Sequence, residues 1–240
     1  MATHIAIQMA TQMATPMTTN VTRLLQLCSQ ALPVGAYAYS GGLESAIVRG
    51  YVHDSQSART WVSGMLQMNI AHLDLPALFL AESAWREQDN VTLDRLNEYL
   101  QASRESAELL LEDVDMGRSL QRLLGNLGEP HPGCQSPSFV VLFAVAGVNW
   151  QVPATDLAAG YCYSWLENQV AAATKSVPLG QTEAQEILGE LLADIDGCIE
   201  KALEIAGDSA DGDWRFGLSL PMLGLLSAQH ETLEARLYRS

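Results

Sequence analysis

QTEAQEILGELLADIDGCIEKALEIAG, residues 181–207, decides the fold class. Leu188, Leu191, Leu192, Ile195, Ile199, Ala202 and Ile205 recur at steps of three and four, which lines them along one face of an α-helix. Thr182 and Gln185 form a capping-box pattern at the start, and Gly207 stands where such a helix stops. The stretch predicts one long amphipathic helix.

The same period runs outward through the chain. In ASRESAELLLEDVDMGRSLQRLLG, residues 102–125, Ala107, Leu110, Val114 and Leu124 make an apolar stripe, while Arg104, Glu105, Glu108, Glu112, Asp115 and Arg118 crowd the other positions. This reads as an amphipathic helix ending near Gly125. Further helical patterns run over residues 58–73, 76–87, 92–102, 138–149 and 156–173, and VTRLLQLCSQ, residues 21–30, is a shorter one. No alternating apolar and polar run is long enough to build a sheet. GNLGEPHPGCQSP, residues 125–137, reads as a loop and GDSADGD, residues 207–213, as an acidic connector, neither long enough to separate domains. The expectation is a leader over residues 1–20, disordered or ordering on a partner, followed by one all-α domain of roughly eight to ten packed helices over residues 21–240.

At 240 residues and 48% hydrophobic composition the chain can bury a substantial core. Asp plus Glu outnumber Lys plus Arg 28 to 13, for a formal net charge of −15. Such a surface repels phosphate backbones, so nucleic acid is not an expected partner. Basic protein surfaces or cations suit it better. The four cysteines, Cys28, Cys134, Cys162 and Cys198, are far apart, which suggests reduced thiols in a cytoplasmic protein. The first twenty residues lack the features of a signal peptide and of a membrane span.

ALPVGAYAYSGGLESA, residues 31–46, looks at first like a phosphate-cradling loop. A dinucleotide-binding loop needs a strand before its glycines and a P-loop needs a Gly-Lys-Ser/Thr end; here a helical pattern precedes and no lysine follows. Pro33 and Gly35 instead stop one helix and turn the chain, Ser40 caps the next, and Gly41 and Gly42 permit close approach of a neighbouring helix. Glu44 falls in the first turn, favourably placed against the helix dipole. Tyr37 and Tyr39, two apart on an extended segment, face opposite sides, one toward the core and one toward the surface.

Metal and nucleophile chemistry find little support. His131 and Cys134 have the only short ligand-type spacing, and two ligands on a proline-rich loop make at most half a tetrahedral site. Cys28, Cys162 and Cys198 lie on apolar helical faces, His72 sits near a helix junction, and no Ser, His and Asp pattern stands out.

LPVGAYAYSGGLE, from Leu32, resembles the N-terminal signature of the urease accessory protein family UreF. ASRESAELLLEDVDMGRSL is similar to that family's mid-chain Arg-Glu helix, YCYSWLENQVAAATKSVPLGQTEAQ to its second signature, and HETLEARLYRS, residues 230–240, to its closing motif. The four occur in the family's order across residues 21–240. The resemblance implies an all-helical, non-enzymatic scaffold that dimerises, binds the accessory protein UreD (called UreH in some bacteria) and with it recruits the nickel-carrying GTPase UreG. The assembly delivers nickel to apo-urease. It also implies that nickel passes through the assembled complex, with no resident cofactor and no tight metal site in this chain. The other reading is an α-helical enzyme acting on a small molecule, which requires a pocket lined by convergent ionisable groups.

Partner-binding candidates follow. Arg236, Tyr238 and Arg239 put interface-anchoring residue types at the end of an acidic sequence, the alternative being cations that complement a terminal helix. His230 and Glu231 are expected one turn back from Glu234 and Ala235 on the same helix face. Lys175 either complements the dipole of a helix end or, lying inside the second signature, contacts the GTPase. Tyr37 joins them as an exposed contact, so that residues 31–46 shape part of a docking surface.

Overall fold

The structure, a computed structural model, describes residues 19–209 and 212–240. In chain order the helices are α1 (19–27), α2 (Leu43–Val48), α3 (Ser55–Met65), α4 (Leu75–Arg86), α5 (Asn90–Ser103), α6 (Ala107–Asn126), α7 (Phe139–Asn149), α8 (Ala154–Ser176), α9 (Gln181–Leu192), α10 (Ile195–Asp208) and α11 (Pro221–His230). No strand occurs among the described residues, and the fold is all-α. Residues 1–18 of the expected leader lie outside the described residues, while Thr19 and Asn20 already belong to α1.

Local chemistry sets the helix starts. The Asp54 carboxylate accepts the Ser57 N–H at 2.8 Å while the Ser57 hydroxyl accepts the Asp54 N–H at 3.0 Å, a reciprocal cap on α3. Asp89 and Ser106 cap α5 and α6 through the N–H groups of Thr92 and Leu109. The patterns over 58–73 and 76–87 belong to one rod, because a π-helical segment, Leu66–Asp74, joins α3 to α4. Its wider turn shifts the register and carries Asp74 inward, two residues before Pro76.

At the centre lies α7, whose residues from Val140 to Ala146 are wholly buried, as a run apolar on every side requires. It packs on α4 and α6; α10 packs on α4, α9 on α8, and α11 on α2 and α6. Gly117 lets α6 meet the backbone leading into α7, for a Cβ there would overlap the Pro137 carbonyl. Gly42 precedes α2 at φ 84°, where a Cβ would also come within 2.9 Å of Leu223.

Four expectations need correction. Residues 181–207 form two helices, because Asp194 in the intervening turn is anchored to the rod by Ser63 Oγ at 3.2 Å and Gln67 Nε2 at 3.4 Å. The Glu183 carboxylate there accepts the Gly180 N–H, at 3.4 Å, three residues back, in place of a pairing of Thr182 with Gln185. On α6 the charged positions are not a solvated face: Glu108 and Asp113 are buried, whereas Ala107 is exposed. Finally, α11 stops at His230, so Glu231 and Glu234 do not share a helix with it; residues 231–240 form a non-helical strap folded back over the protein.

Candidate functional site

The strap is tied down by carboxylates from two helices. Glu44, on α2, accepts the N–H groups of Leu237 and Tyr238 at 2.8 and 3.0 Å. Glu108, on α6, accepts Arg236 Nη1 at 3.0 Å. Between the two carboxylates sits His230, with no exposed surface, its Nε2 2.9 Å from Glu44 and its Nδ1 2.7 Å from Glu108. Glu44 thus does more than complement a helix dipole: it is the anchor through which the 31–46 segment holds the end of the sequence.

Further along, the strap pairs with the 31–46 segment directly. The Arg239 N–H donates to the Ala38 carbonyl at 2.8 Å, the Ser40 N–H donates to the Ser240 carbonyl at 3.1 Å, and the Ser40 hydroxyl also donates to that carbonyl. Ser40 Oγ accepts the Glu44 N–H at 3.2 Å, but the N-cap position expected of Ser40 is taken by Gly42, two residues on. Gly35, at φ 81°, turns the chain into a short 3-10 turn, Ala36–Ala38. The two tyrosines do part, but not by alternation, which would put residues two apart on one face: the segment is a 3-10 turn and not extended, so Tyr39 is buried and donates to Asp115 at 3.1 Å while Tyr37 is 69% exposed.

The structure places the seven candidate contacts on or beside the strap. Tyr37, Arg236 and Arg239 are exposed, with Arg239 in electrostatic reach of Tyr37. Lys175, in the last turn of α8, is exposed with its ammonium 5.6 Å from the centroid of the Tyr238 ring. Tyr238 itself packs in a satellite core with Leu43, Ala46, Ala172 and Leu226. His230 and Tyr238 are therefore supports beneath the surface in this chain, because their polar and apolar partners come from its own helices. Glu231, the first residue of the strap, is exposed just past the end of α11.

Beside the strap lies a cavity of about 400 Å³ with apolar walls, among them Leu32, Ile70, Phe139 and Leu223. Charge gathers at one side of it. Arg104 places Nη1 3.0 Å from Asp74 and Nη2 3.4 Å from Asp113, while Tyr161 donates to Asp74 at 2.8 Å. Asp113 also accepts the Ser138 hydroxyl and the Phe139 N–H. Burial pushes the Asp74 carboxyl up despite the pull of Arg104, and the two aspartates hold the guanidinium proton more firmly against the opposing effect of burial. Glu112, which accepts the Ser240 hydroxyl at 2.6 Å, is pushed up to about 7, chiefly by burial and then by Asp113 and Asp74, with Ser240 and Arg104 opposing.

Sequence reading gave Glu44 only a helix-dipole role and did not mark Asp74 or Asp113. A signal did exist for Asp113: steps of three and four back from Leu124 through Leu120 and Gly117 reach Asp113, so the buried side of α6 carries a carboxylate in line with its leucines. Nothing local marked Asp74, which owes its place to the π segment.

His131 and Cys134 are only partly buried; His131 Nδ1 lies 3.1 Å from the Pro132 carbonyl, and its ring fits against Gly125. Among the described residues no group of three or more His, Cys, Asp or Glu is arranged to hold a metal ion. Cys28, Cys162 and Cys198 are buried free thiols, and burial pushes Cys28 up to about 12 and Cys198 up to about 11. These are poor thiolates and behave as core residues.

Comparison with known proteins decides the family. The UreF family model matches residues 52–192, more than half the chain. This chain belongs to the UreF family. Relatives named urease accessory protein UreF include those of Teredinibacter turnerae, 44% identical over 90% of this chain and 97% of that protein, and of a Marinomonas species, 44% identical over 91% and 93%. The Azoarcus relative is 40% identical over 91% of this chain and 94% of its own. The motif resemblance and the family match thus agree, and the match runs from before α3 through α9, which includes Arg104, Glu108 and Asp113. No described helix is long and apolar enough to cross a membrane.

Proposed function

We propose that this UreF-family chain is a cytoplasmic, non-enzymatic adaptor in urease maturation, which acts as a dimer, joins UreD (UreH) and recruits the GTPase UreG so that nickel reaches apo-urease. The observation that supports this most is the fixed presentation of Tyr37, Arg236 and Arg239. Two buried carboxylates and a buried histidine hold the strap, and the side chains they present are of the types that anchor interfaces. Preorganising such residues lowers the ordering cost of association. Nickel is cargo in this reading and passes through the assembled complex.

The enzyme reading has one feature in its favour, the cavity with its ionisable residues. Its charges, however, are engaged with one another: Arg104 is shared by Asp74 and Asp113, and each aspartate accepts further donors from its own fold. This is the pattern of a structural hub more than of groups waiting for a substrate.

The test is capture of UreD and UreG by the tagged chain from a urease-producing host, with Tyr37→Ala compared with wild type. Truncating an interface anchor should weaken UreG capture by about 30-fold, corresponding to roughly 2 kcal/mol. Because Tyr37 is largely exposed, helix content and melting temperature should hold. Full-strength capture by a folded Tyr37→Ala variant places the docking surface elsewhere.

A further inference from the structure

We infer that His230 is held as an imidazolium, protonated on both ring nitrogens, and that this proton closes the strap, residues 231–240, onto the helices beneath it. A neutral imidazole has one N–H and one bare lone pair. Here both nitrogens face carboxylate oxygens, Nε2 at 2.9 Å and Nδ1 at 2.7 Å. A bare nitrogen in either position would set lone pair against lone pair in a site closed to water, unless the carboxyl carried the proton instead.

Both carboxyls are already committed as acceptors. Glu44 receives the Leu237 N–H on Oε1 and the Tyr238 N–H on Oε2, the oxygen that also faces His230. Glu108 receives Arg236 on Oε1 and faces His230 with Oε2. Charge balance gives the same answer. Two carboxylates against Arg236 alone leave a net negative charge in a buried site, and an imidazolium cancels it.

The groups facing His230 come from three elements: Glu44 on α2, Glu108 on α6 and, through Glu108, Arg236 on the strap. One turn earlier on α11, Ser227 pairs with Ser106 and carries no charge. Farther out, Lys175 stands over the Tyr238 ring, Arg239 lies 3.9 Å from Asp115, and Glu112 takes the Ser240 hydroxyl. None of these supplies a second proton donor to either ring nitrogen.

His230 is accordingly a positioning residue, acting through Glu44 and Glu108 on residues 236–239. If the strap opens, its imidazole meets water and loses the two carboxylates that hold the proton. Closure is therefore linked to that proton, and raising the pH until the imidazolium gives it up weakens closure. Strong acid releases the strap again by protonating the carboxylates. That UreG capture follows the same proton rests on the docking reading above; the protonation itself does not.

The test uses the full chain with ¹⁵N-labelled histidine, assigned by substituting the other histidines in turn. Near neutral pH both nitrogens of His230 should give signals of the protonated type, with the amides of Leu237 and Tyr238 protected from exchange. As the pH is raised, the imidazolium signature and amide protection, corrected for intrinsic exchange, should vanish with one midpoint. Glu108→Gln should move that midpoint to lower pH, and His230→Gln should leave a weakly protected strap with no step. A neutral-tautomer signature alongside protected strap amides near neutral pH overturns the inference, as does protection that outlasts the imidazolium. The wild-type titration decides the matter even if neither variant folds. UreG capture that stays constant while the strap amides lose protection refutes the docking link and leaves the proton assignment standing.

Discussion

Arg104→Met removes the only guanidinium between two buried carboxylates. In the wild-type chain Arg104 reaches Asp74 at 3.0 Å and Asp113 at 3.4 Å, and all three side chains are nearly closed to solvent. Methionine fills much of the volume but leaves Asp74 and Asp113 facing each other without a counter-charge. Removing one partner of a buried pair costs about 3–5 kcal/mol, a large share of the roughly 5–15 kcal/mol that holds a domain together. Asp74 is already pushed up by burial against the pull of Arg104, so losing that pull raises it further. A carboxyl raised in the folded state binds more protons there than when unfolded, so its contribution falls as the pH rises. Urea unfolding followed by circular dichroism should therefore show the full loss near pH 7 and a partial recovery near pH 5. Adding Asp74→Asn and Asp113→Asn should restore part of the stability, because the penalty lies in the uncompensated charges. A loss below about 1 kcal/mol, or one that does not depend on pH, would refute the reasoning.

Glu112→Gln should flatten the pH dependence of stability. With a folded value of about 7 against about 4.3 for an ordinary glutamate, the wild-type contribution declines as pH climbs through that window, so stability curves for the two chains should diverge there and run parallel above it. Gly117→Ala should destabilise by about 1–3 kcal/mol or more, read as a fall in melting temperature, because the obstructing group is the Pro137 backbone and not a movable side chain. Calorimetry on the isolated chain should find nickel binding in about the micromolar range or weaker; a stoichiometric submicromolar site abolished by His131→Ala or Cys134→Ser would contradict this.

The helical class was legible because its signal is periodic and local. Residues such as Leu188, Leu191, Ile195 and Ile199 repeat often enough to outweigh any single exception. The break between α9 and α10 was not legible, since the apolar stripe runs on across Asp194 and the interruption comes from an anchor on the distant α3–α4 rod. The same holds for charge. Glu108 and Asp113 look like surface residues by type, and only the arrival of Arg236, Arg104 and His230 from elsewhere makes their burial tolerable. Tyr37 and Tyr39 were not separable by alternation, which puts residues two apart on one face; the 3-10 turn over Ala36–Ala38 is what parts them.

Two motifs that stand some 200 residues apart in sequence, as Ser40 and Ser240 do, make one physical unit. Residues 31–46 supply Glu44, the Ala38 carbonyl and the Ser40 N–H; the strap supplies the complementary amides and the Ser240 carbonyl. Residues 31–46 carry a 3-10 turn and the start of α2, with hydrogen bonds of their own, while the strap beyond Leu233 is held by bonds to that segment and to α6. Each is the template for the other, and α6 fixes both through Glu108, Glu112 and Asp115. Exposed Tyr37 and Arg239 consequently owe their positions to groups buried well below them. A change in Glu44 or Glu108 acts on the surface without touching it, and loss of capture on deleting the strap speaks to the shape of residues 36–41 as much as to the arginines removed.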